Sequence, residues 1–546
     1  MKKLLKIVSI AAAAVLGLGL FAGCSSGGIQ EGKNGTLRVH FYVGGFDDEE
    51  MREDISDLYE QETGVRVNWI PSYTYNEIQN LLNEKTNQND ILLPQLGVWR
   101  SQDMKLLEPL NEVYEATPEG QDHTIGENMS QRLYNYLLAD DGNIYQMNSA
   151  DSISTIVYNA DVLDSFLGEE NTADGWSVPN TTKELWEICD ELVTIGRSVS
   201  DKKSEEMVYS FTTSSQLLYY WDYLGNVWWA QCDGYESYLN YFEGKYWDEA
   251  AQEWKMGPEI NDTDGRSIAL SETAKVLSMG RGYMHEDCKD MGFKQAQQVL
   301  IGQGFGKNKA KAAFMVTGDW LEQEMSGALA NTNADLRMMK PPVISDIINV
   351  VPDQSIADDA ELSALITYID SVAAGETAAP TGDSVKGEGF EVTKDDYDRV
   401  SEARNMIYSA TYNYPVCIPA YRPETQKELA KDFLVFYFSD RVQQIMAETN
   451  GGTVAPYGYT PDIEMSGFMK SRYDCVTSST IVICENPKSV LSYRGGLNDM
   501  PAAGSSYVDS ILIDGKQPSA LLKESKEQLV ANWDTMLEAA GLKSAS

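Results

Sequence analysis

Histidine is nearly absent from this chain: 546 residues hold three, at His40, His123 and His285. Zinc and most transition-metal centres need three or four convergent nitrogen, sulfur or carboxylate ligands. His285 and Cys288 lie three residues apart with Glu286 and Asp287 between them, and a lone pair of that kind reads as a surface cluster. His40 falls out of phase with the apolar face of its strand and reads as structural. No metal and no other cofactor is expected. Basic residues are also scarce, 43 Lys and Arg against 83 Asp and Glu, for a net charge of −40. So acidic a surface repels phosphate backbones and anionic headgroups, which excludes nucleic acid as a partner. Beyond the first two dozen residues no apolar run reaches the roughly 18 residues of a membrane span. Cysteine is sparse: after Cys24 come only Cys189, Cys232, Cys288, Cys417, Cys475 and Cys484. An even number in an exported chain permits disulfides, while low density and apolar neighbours equally permit buried free thiols. No internal repeat is present.

Enzyme signatures fail on spacing. Gly23-Cys24-Ser25-Ser26-Gly27 spells a nucleophile elbow but has no strand before it and no helix after it. Gly302-Gln303-Gly304-Phe305-Gly306-Lys307 fits neither the dinucleotide nor the P-loop pattern. Asp262, Asp264 and Gly265 imitate part of a calcium loop, yet Ile260 and Ser271 occupy its first and last ligand positions, so the segment reads as a turn. Paired carboxylates for glycoside hydrolysis can be found at any wanted spacing among so many acids and carry no signal.

What is present begins with an export signal. Lys2, Lys3 and Lys6 precede an apolar run from Ile7 to Phe21 that ends in Ala22-Gly23-Cys24. This resembles a lipobox, with Phe21 where leucine is usual. Residues 1–23 are read as a lipoprotein signal peptide and Cys24 as the lipidated new N-terminus, carrying palmitate-type chains. A diacylglycerol supplies two chains, enough for stable anchoring. Residues 24–35 are then a flexible tether reaching roughly 20 Å, which places the body on the extracellular face of the cell membrane.

The body, about 520 residues, is too long for one core and predicts at least two domains. It opens with a βαβ pattern: Thr36–Val43 alternates apolar and polar residues, Met51, Ile55, Leu58 and Tyr59 recur at helical spacing, Gly64 stops the helix, and Val65–Ile70 is the next strand. Such units make parallel pairs with a right-handed crossover, and ligands gather at the carboxyl ends of their strands. The Tyr42–Phe46 loop is therefore a candidate site. A helix over Tyr75–Leu82 and a strand over Ile91–Leu93 continue the pattern, and Asp140–Asn143 forms a tight turn. Thr181 and Glu184 form a capping box for a helix with Leu185, Ile188, Leu192 and Ile195 inward, closed at Gly196. Pro423 starts another helix, with Leu429, Phe433, Leu434 and Tyr437 on one side. Ser371–Asp398 reads as a mobile surface insertion.

Aromatic residues are abundant, 11 Trp, 30 Tyr and 14 Phe. Trp99, Trp228, Trp229 and Trp320 are expected in loops or at strand ends, beside polar groups. Flat aromatic faces stack on the C–H faces of sugar rings, while Asp, Asn, Gln and Arg pair with hydroxyls.

Several segments occur in the order of a known family. Asp141–Met147 matches a turn and strand leading to a hinge. Ile156-Val157-Tyr158-Asn159-Ala160-Asp161 matches a "YN-x-D" element, Lys311–Met315 with Gly318-Asp319-Trp320 an "AAM…G-x-W" segment, and Glu428–Leu434 an "A-x-x-F-L" helix. The chain thus resembles the extracellular solute-binding protein family 1 of sugar ABC importers, the group that includes maltose-binding protein. The resemblance implies a periplasmic-binding-protein-like α/β fold: two α/β lobes, a hinge and a central cleft. The lobes are expected at 36–150 with 343–440 and at 151–342 with 441–546, crossing near Ser149–Ser154, Lys340–Val343 and Ser439–Gly451. By position it assigns Trp99 and Arg100 to the first wall, Asp319 and Trp320 to the second, and Asn148 and Asp151 to the hinge side, with Tyr42, Trp229 and Tyr457 as further contacts. The function implied is a monomeric lipoprotein that binds a carbohydrate without turnover and delivers it to an ABC permease. An oligopeptide-binding lipoprotein and a membrane-anchored glycoside hydrolase are the alternatives.

Overall fold

The computed structural model of the protein describes residues 32–543 apart from 44–48, 75, 95–96, 130, 150–151, 171–174, 200–206, 306–308, 410–414, 450–461, 485–487 and 498–505. The chain starts in a parallel sheet of Gly35–Tyr42 (β1), Val65–Ser72 (β2) and Ile91–Leu93 (β3), ordered β2-β1-β3, and leaves it through Met147–Asn148 (β4). A second body then gathers Ile153–Asn159 (β5), Val208–Phe211 (β6), the hairpin Lys245–Asp248 (β7) and Glu253–Met256 (β8), Lys311–Gly318 (β9), Leu336–Met339 (β10), the hairpin Ser384–Gly387 (β11) and Phe390–Thr393 (β12), and Met406–Ser409 (β13). The chain returns to the first body as Pro415–Val416 (β14), which pairs with β4, and ends in the second with Ile481–Ile483 (β15). This is the two-lobed α/β architecture.

In the first lobe the alternation of β1 turns Leu37, Val39 and Phe41 into the core. The helix Glu49–Thr63 covers them with Ile55 and Tyr59. Gly64 ends that helix at φ +75°, a left-handed conformation that favours glycine. His40 is buried too. Its ring pairs with the Asn87 amide at 3.3 Å, and burial pushes its pKa down. The returning chain supplies the opposite side of this core through Phe433, Leu434 and Tyr437 of the helix Glu424–Tyr437. Asp90 ties the halves together, accepting from the Arg38 N–H (3.0 Å) and from two nitrogens of Arg422 (2.7 and 3.0 Å).

The second lobe is larger. Its mixed sheet runs β15-β13-β5-β9-β6, with β10 also on β5. All seven residues of β5 are buried, as a central strand covered by helices on both faces requires. The capping box at Thr181 forms as drawn: the Glu184 N–H donates to the Thr181 hydroxyl (3.2 Å), and the Glu184 carboxylate accepts from the N–H groups of Thr181 (3.3 Å) and Asn180 (2.7 Å). The helix it opens runs through Gly196 to Val199 instead of stopping there.

Three further expectations need correction. Trp228 and Trp229 lie in no loop; they sit inside the helix Tyr219–Asp233, where Trp228 is fully buried. The stretch from Ser371 to Asp398 is ordered: β11 and β12 pair in register, and Val385, Phe390, Val392 and Tyr397 pack into the main core against Leu362, Leu365 and Ile369. Its Gly, Ser and Thr serve a hairpin, and its four apolar residues are enough to seat it. Residues 343–409 also belong to the second core and not to the first lobe, because β13 pairs with β5 and Val343 bridges Thr181. The chain crosses between Ser149 and Ser152, Ser409 and Pro415, and Thr449 and Asp462.

Candidate functional site

The first two crossings leave from one edge of the large sheet. There β5 begins, β9 ends at Gly318 opposite Ser154, and β13 ends with Tyr408 opposite Ser154 and Ser409 opposite Ile153. Asp319, the next residue after β9, closes this edge. Its carboxylate accepts from the Ser152 hydroxyl (2.8 Å), the Ile153 N–H (3.2 Å) and the Arg472 guanidinium (2.8 Å). Its three donors are all protein groups.

Beside Asp319 an aromatic row runs along the same edge. Trp320 lies 6.0 Å from Tyr220, which lies 4.4 Å from Tyr219 and 5.8 Å from Tyr223, while Tyr223 stacks on Tyr408 at 3.9 Å with 9° between the planes. Gly318 makes room for the row, since a Cβ there would strike the Trp320 ring at 2.4 Å. Tyr220 and Tyr408 are buried foundations, Trp320 and Tyr223 are half-buried, and Tyr219 is 38% exposed. Burial pushes the Tyr219 and Tyr220 hydroxyls up in pKa, so the rings stay neutral. Burial also raises the nearby Glu322 and Glu324 carboxyls, the latter against a hydrogen bond from Gln297 (2.7 Å).

The first lobe presents the carboxyl ends of three parallel strands, where open α/β sheets place their ligands. Tyr42, half-buried, ends β1 and packs beside Leu92, Val98 and Cys417. Tyr73 follows β2 and is 77% exposed, an apolar face held in water. Trp99 opens the short helix Trp99–Asp103 just beyond β3 and is buried, with its indole N–H donating to the Tyr136 hydroxyl (3.2 Å). Arg100 points into solvent one residue on, and Asn148 is buried in β4, in register with Pro415.

Trp229 is elsewhere. It lies more than two turns along its helix from Tyr219, donates to Asp233 (2.6 Å), carries the Arg266 guanidinium over its ring at 5.2 Å, and lines a cavity of about 50 Å³ within the second lobe. Burial pushes the Asp233 carboxyl up. Cys24, Asp151 and Tyr457 lie outside the described residues. The structure therefore puts Trp320 and Asp319 together at the crossing edge of the second lobe, puts Tyr42, Trp99 and Arg100 near the strand ends of the first, and sets Trp229 apart. Sequence reading passed over Tyr73, Tyr219, Tyr223 and Tyr408. Tyr219 and Tyr223 carried a usable signal, four apart on one helix; Tyr408 carried none. Among the described residues no group of three or more His, Cys, Asp or Glu is placed to hold a metal ion, and no helix is long and apolar enough to cross a membrane.

Residues 54–257 match the family model described as bacterial extracellular solute-binding protein. No significant match is found among curated proteins. The fold recurs in a chitin oligosaccharide binding protein (13% identity, TM-score 0.55, covering 93% of this chain and 99% of that one). It recurs in the sugar-binding protein MalE from the phytopathogen Xanthomonas citri (12%, TM-score 0.55, 93% and 100%) and in RafE in complex with raffinose (12%, TM-score 0.54, 91% and 99%). Likeness to that family model is confined to residues 54–257, and the two-lobed fold is shared with these solved structures over nearly the whole chain.

Proposed function

We propose that the protein captures a sugar or oligosaccharide outside the cell and hands it to the permease of an ABC importer, with no covalent chemistry of its own. The observation that carries this reading is the row Trp320–Tyr220–Tyr219–Tyr223–Tyr408 along the edge where the chain crosses between lobes. Three of these rings, Trp320, Tyr219 and Tyr223, are neutral and at least partly exposed over the buried Tyr220 and Tyr408, and such faces suit the C–H faces of pyranose units. Tyr73, Tyr42 and the Trp99–Arg100 segment are the proposed opposing contacts. The solved proteins that share this fold support the reading, since their names specify chitin oligosaccharide, raffinose and other sugars.

Capture works by closure. A solute that touches both walls favours the closed form by its differential affinity for that form, and by no more. Micromolar binding corresponds to about −8 kcal/mol. Two or three stacked rings at roughly 1 kcal/mol each, with hydroxyls paired to protein groups, reach that range. The export signal and Cys24 belong to the same proposal: a two-chain lipid on Cys24 keeps a monomeric receptor beside its permease.

A thermal-shift screen of mono- and oligosaccharides against a peptide panel, with product analysis on every hit, tests the reading. A sugar-specific rise in melting temperature with a tryptophan fluorescence change and no product is expected. Stabilisation by peptides alone would establish a peptide receptor, and release of shorter sugars would establish a hydrolase. Mass spectrometry of the membrane-extracted protein should find a diacylated Cys24 as the first residue.

A further inference from the structure

Among the described residues, the lobes also touch away from the crossings. The segment Lys488–Arg494 is fixed in the second lobe: the Ser489 hydroxyl donates to the Phe242 carbonyl (2.5 Å), and Leu491 is buried in the large core beside the Pro518–Ala540 helix. Both of its basic residues reach the first lobe. The Lys488 ammonium donates to the carbonyl oxygens of Asn135 (2.9 Å) and Leu138 (3.2 Å), at the carboxyl end of the helix Gln131–Leu137. These are carbonyls that a helix leaves without an intrahelical partner, at the negative end of its dipole. The same ammonium sits over the faces of Trp99 (5.5 Å) and Tyr136 (5.3 Å), two rings set edge to face at 87°. Arg494 forms an ion pair with Asp103, the last residue of the Trp99–Asp103 helix, and Tyr493 packs against the first-lobe core.

We propose that Lys488–Arg494 is an interlobe latch, anchored in the second lobe and engaging the Trp99–Asp103 and Gln131–Leu137 helices of the first, that holds the two lobes shut. Part of the free energy of closure then comes from contacts between lobes and not from the solute. A carbonyl pair, two ring faces and a carboxylate form a composite receptor for two cations, and none of these contacts survives separation of the lobes. The role of the latch in capture rests on the function proposed above; its existence as a lobe–lobe lock does not. Because the latch residue Lys488 lies on the Trp99 ring, closing the latch also fixes the first wall of the proposed sugar site. Releasing it is predicted mainly to speed dissociation.

The test uses the full chain with label pairs at Glu53→Cys and Lys386→Cys, one exposed position on each lobe. Interlobe distances are read by pulsed electron resonance without any solute, for the otherwise unmodified protein, Lys488→Ala and Asp103→Asn. A predominantly short distance is expected in the first, and a shift to longer distances in both variants with circular dichroism unchanged. Asp103→Asn alters the opposite lobe, so it decides the matter if Lys488→Ala does not fold. Identical distance distributions in the foldable variants would overturn the latch. With raffinose as probe, dissociation about tenfold faster in the variants supports a latch that serves capture. Open variants combined with no sugar binding by the unmodified protein would leave the latch standing and remove the capture reading.

Discussion

Arg472 and Asp319 meet at 2.8 Å with their side chains 4% and 0% exposed, an ion pair sealed from water at the edge where the chain enters the second lobe. Arg472 comes from the helix Gly467–Ser478, which packs on β10, so the pair joins a late helix to the first residues of β5. Arg472→Met leaves the Asp319 carboxylate buried with only the Ser152 hydroxyl and Ile153 N–H. Removing one partner of a buried pair costs about 3–5 kcal/mol. Urea unfolding of the variant should show that loss; an unchanged midpoint would mean the pair contributes nothing.

The aromatic row separates affinity from stability. Trp320→Ala and Tyr223→Ala each remove a face from the proposed stacking wall, and each should weaken sugar binding about tenfold, roughly 1.4 kcal/mol. Trp229→Phe should lower stability, because it deprives the buried Asp233 of its indole donor and leaves Arg266 over a smaller ring, while sugar affinity stays within twofold. Calorimetric titration of the three variants distinguishes them. A loss of affinity in Trp229→Phe with none in the other two would move the site to the internal cavity.

Closure should depend on pH with a sign opposite to simple charge loss. Burial pushes the Lys488 ammonium down to about 8, against the opposing Cys484 and Asp140. It is faced by Trp99, Tyr136 and the Asn135 and Leu138 carbonyls from the first lobe, and the titratable groups that act on its charge are Asp140 of that lobe and Cys484 of its own. In water, once the lobes part, the same amine titrates near 10.4. The closed form therefore holds its proton more weakly than the open form, and rising pH through the window from about 8 to about 10.4 favours closure. A neutral amine still donates to the carbonyls. The closed fraction of the label pair should be flat below pH 7.5, rise toward pH 9.5, and lose that rise in Lys488→Ala. A closed fraction that falls over this range refutes the assignment.

The six body cysteines are free and buried. Burial pushes Cys288 up to about 11 and Cys417 and Cys475 up to about 12, and raises Cys189 and Cys232 further still. Thiolate is the reactive form, so a thiol reagent at pH 8 should find no reactive group in the native protein. In guanidinium, six groups should react in processed protein, whose Cys24 sulfur is a thioether, and seven in the unprocessed chain. Fast native labelling of any of the six would contradict their burial.

Local signals were read correctly where the determinant is local. The alternation in β1, the helix stop at Gly64, the Thr181–Glu184 box and the Pro423 start each depend on residues within a few positions of one another, and each formed. The family-like order of segments extended that reading to a two-lobed fold. The failures share one cause. Whether Trp229 faces a cleft or a core depends on where its helix lies against the sheet, and no neighbour in sequence records that. Ser371–Asp398 has a loop's composition, yet Val385, Phe390 and Val392 find a core that other segments built.

The acidic, histidine-poor character of the protein, its first strands and helix limits, and its stock of aromatic residues were all legible in the order of amino acids. Which of those rings stand together was settled by long-range packing. Tyr408 reaches Tyr223 because β13 pairs with β5, and Lys488 reaches Trp99 because two lobes touch. Such pairings are set by packing between segments hundreds of residues apart, where the burial of many apolar side chains outweighs any local preference.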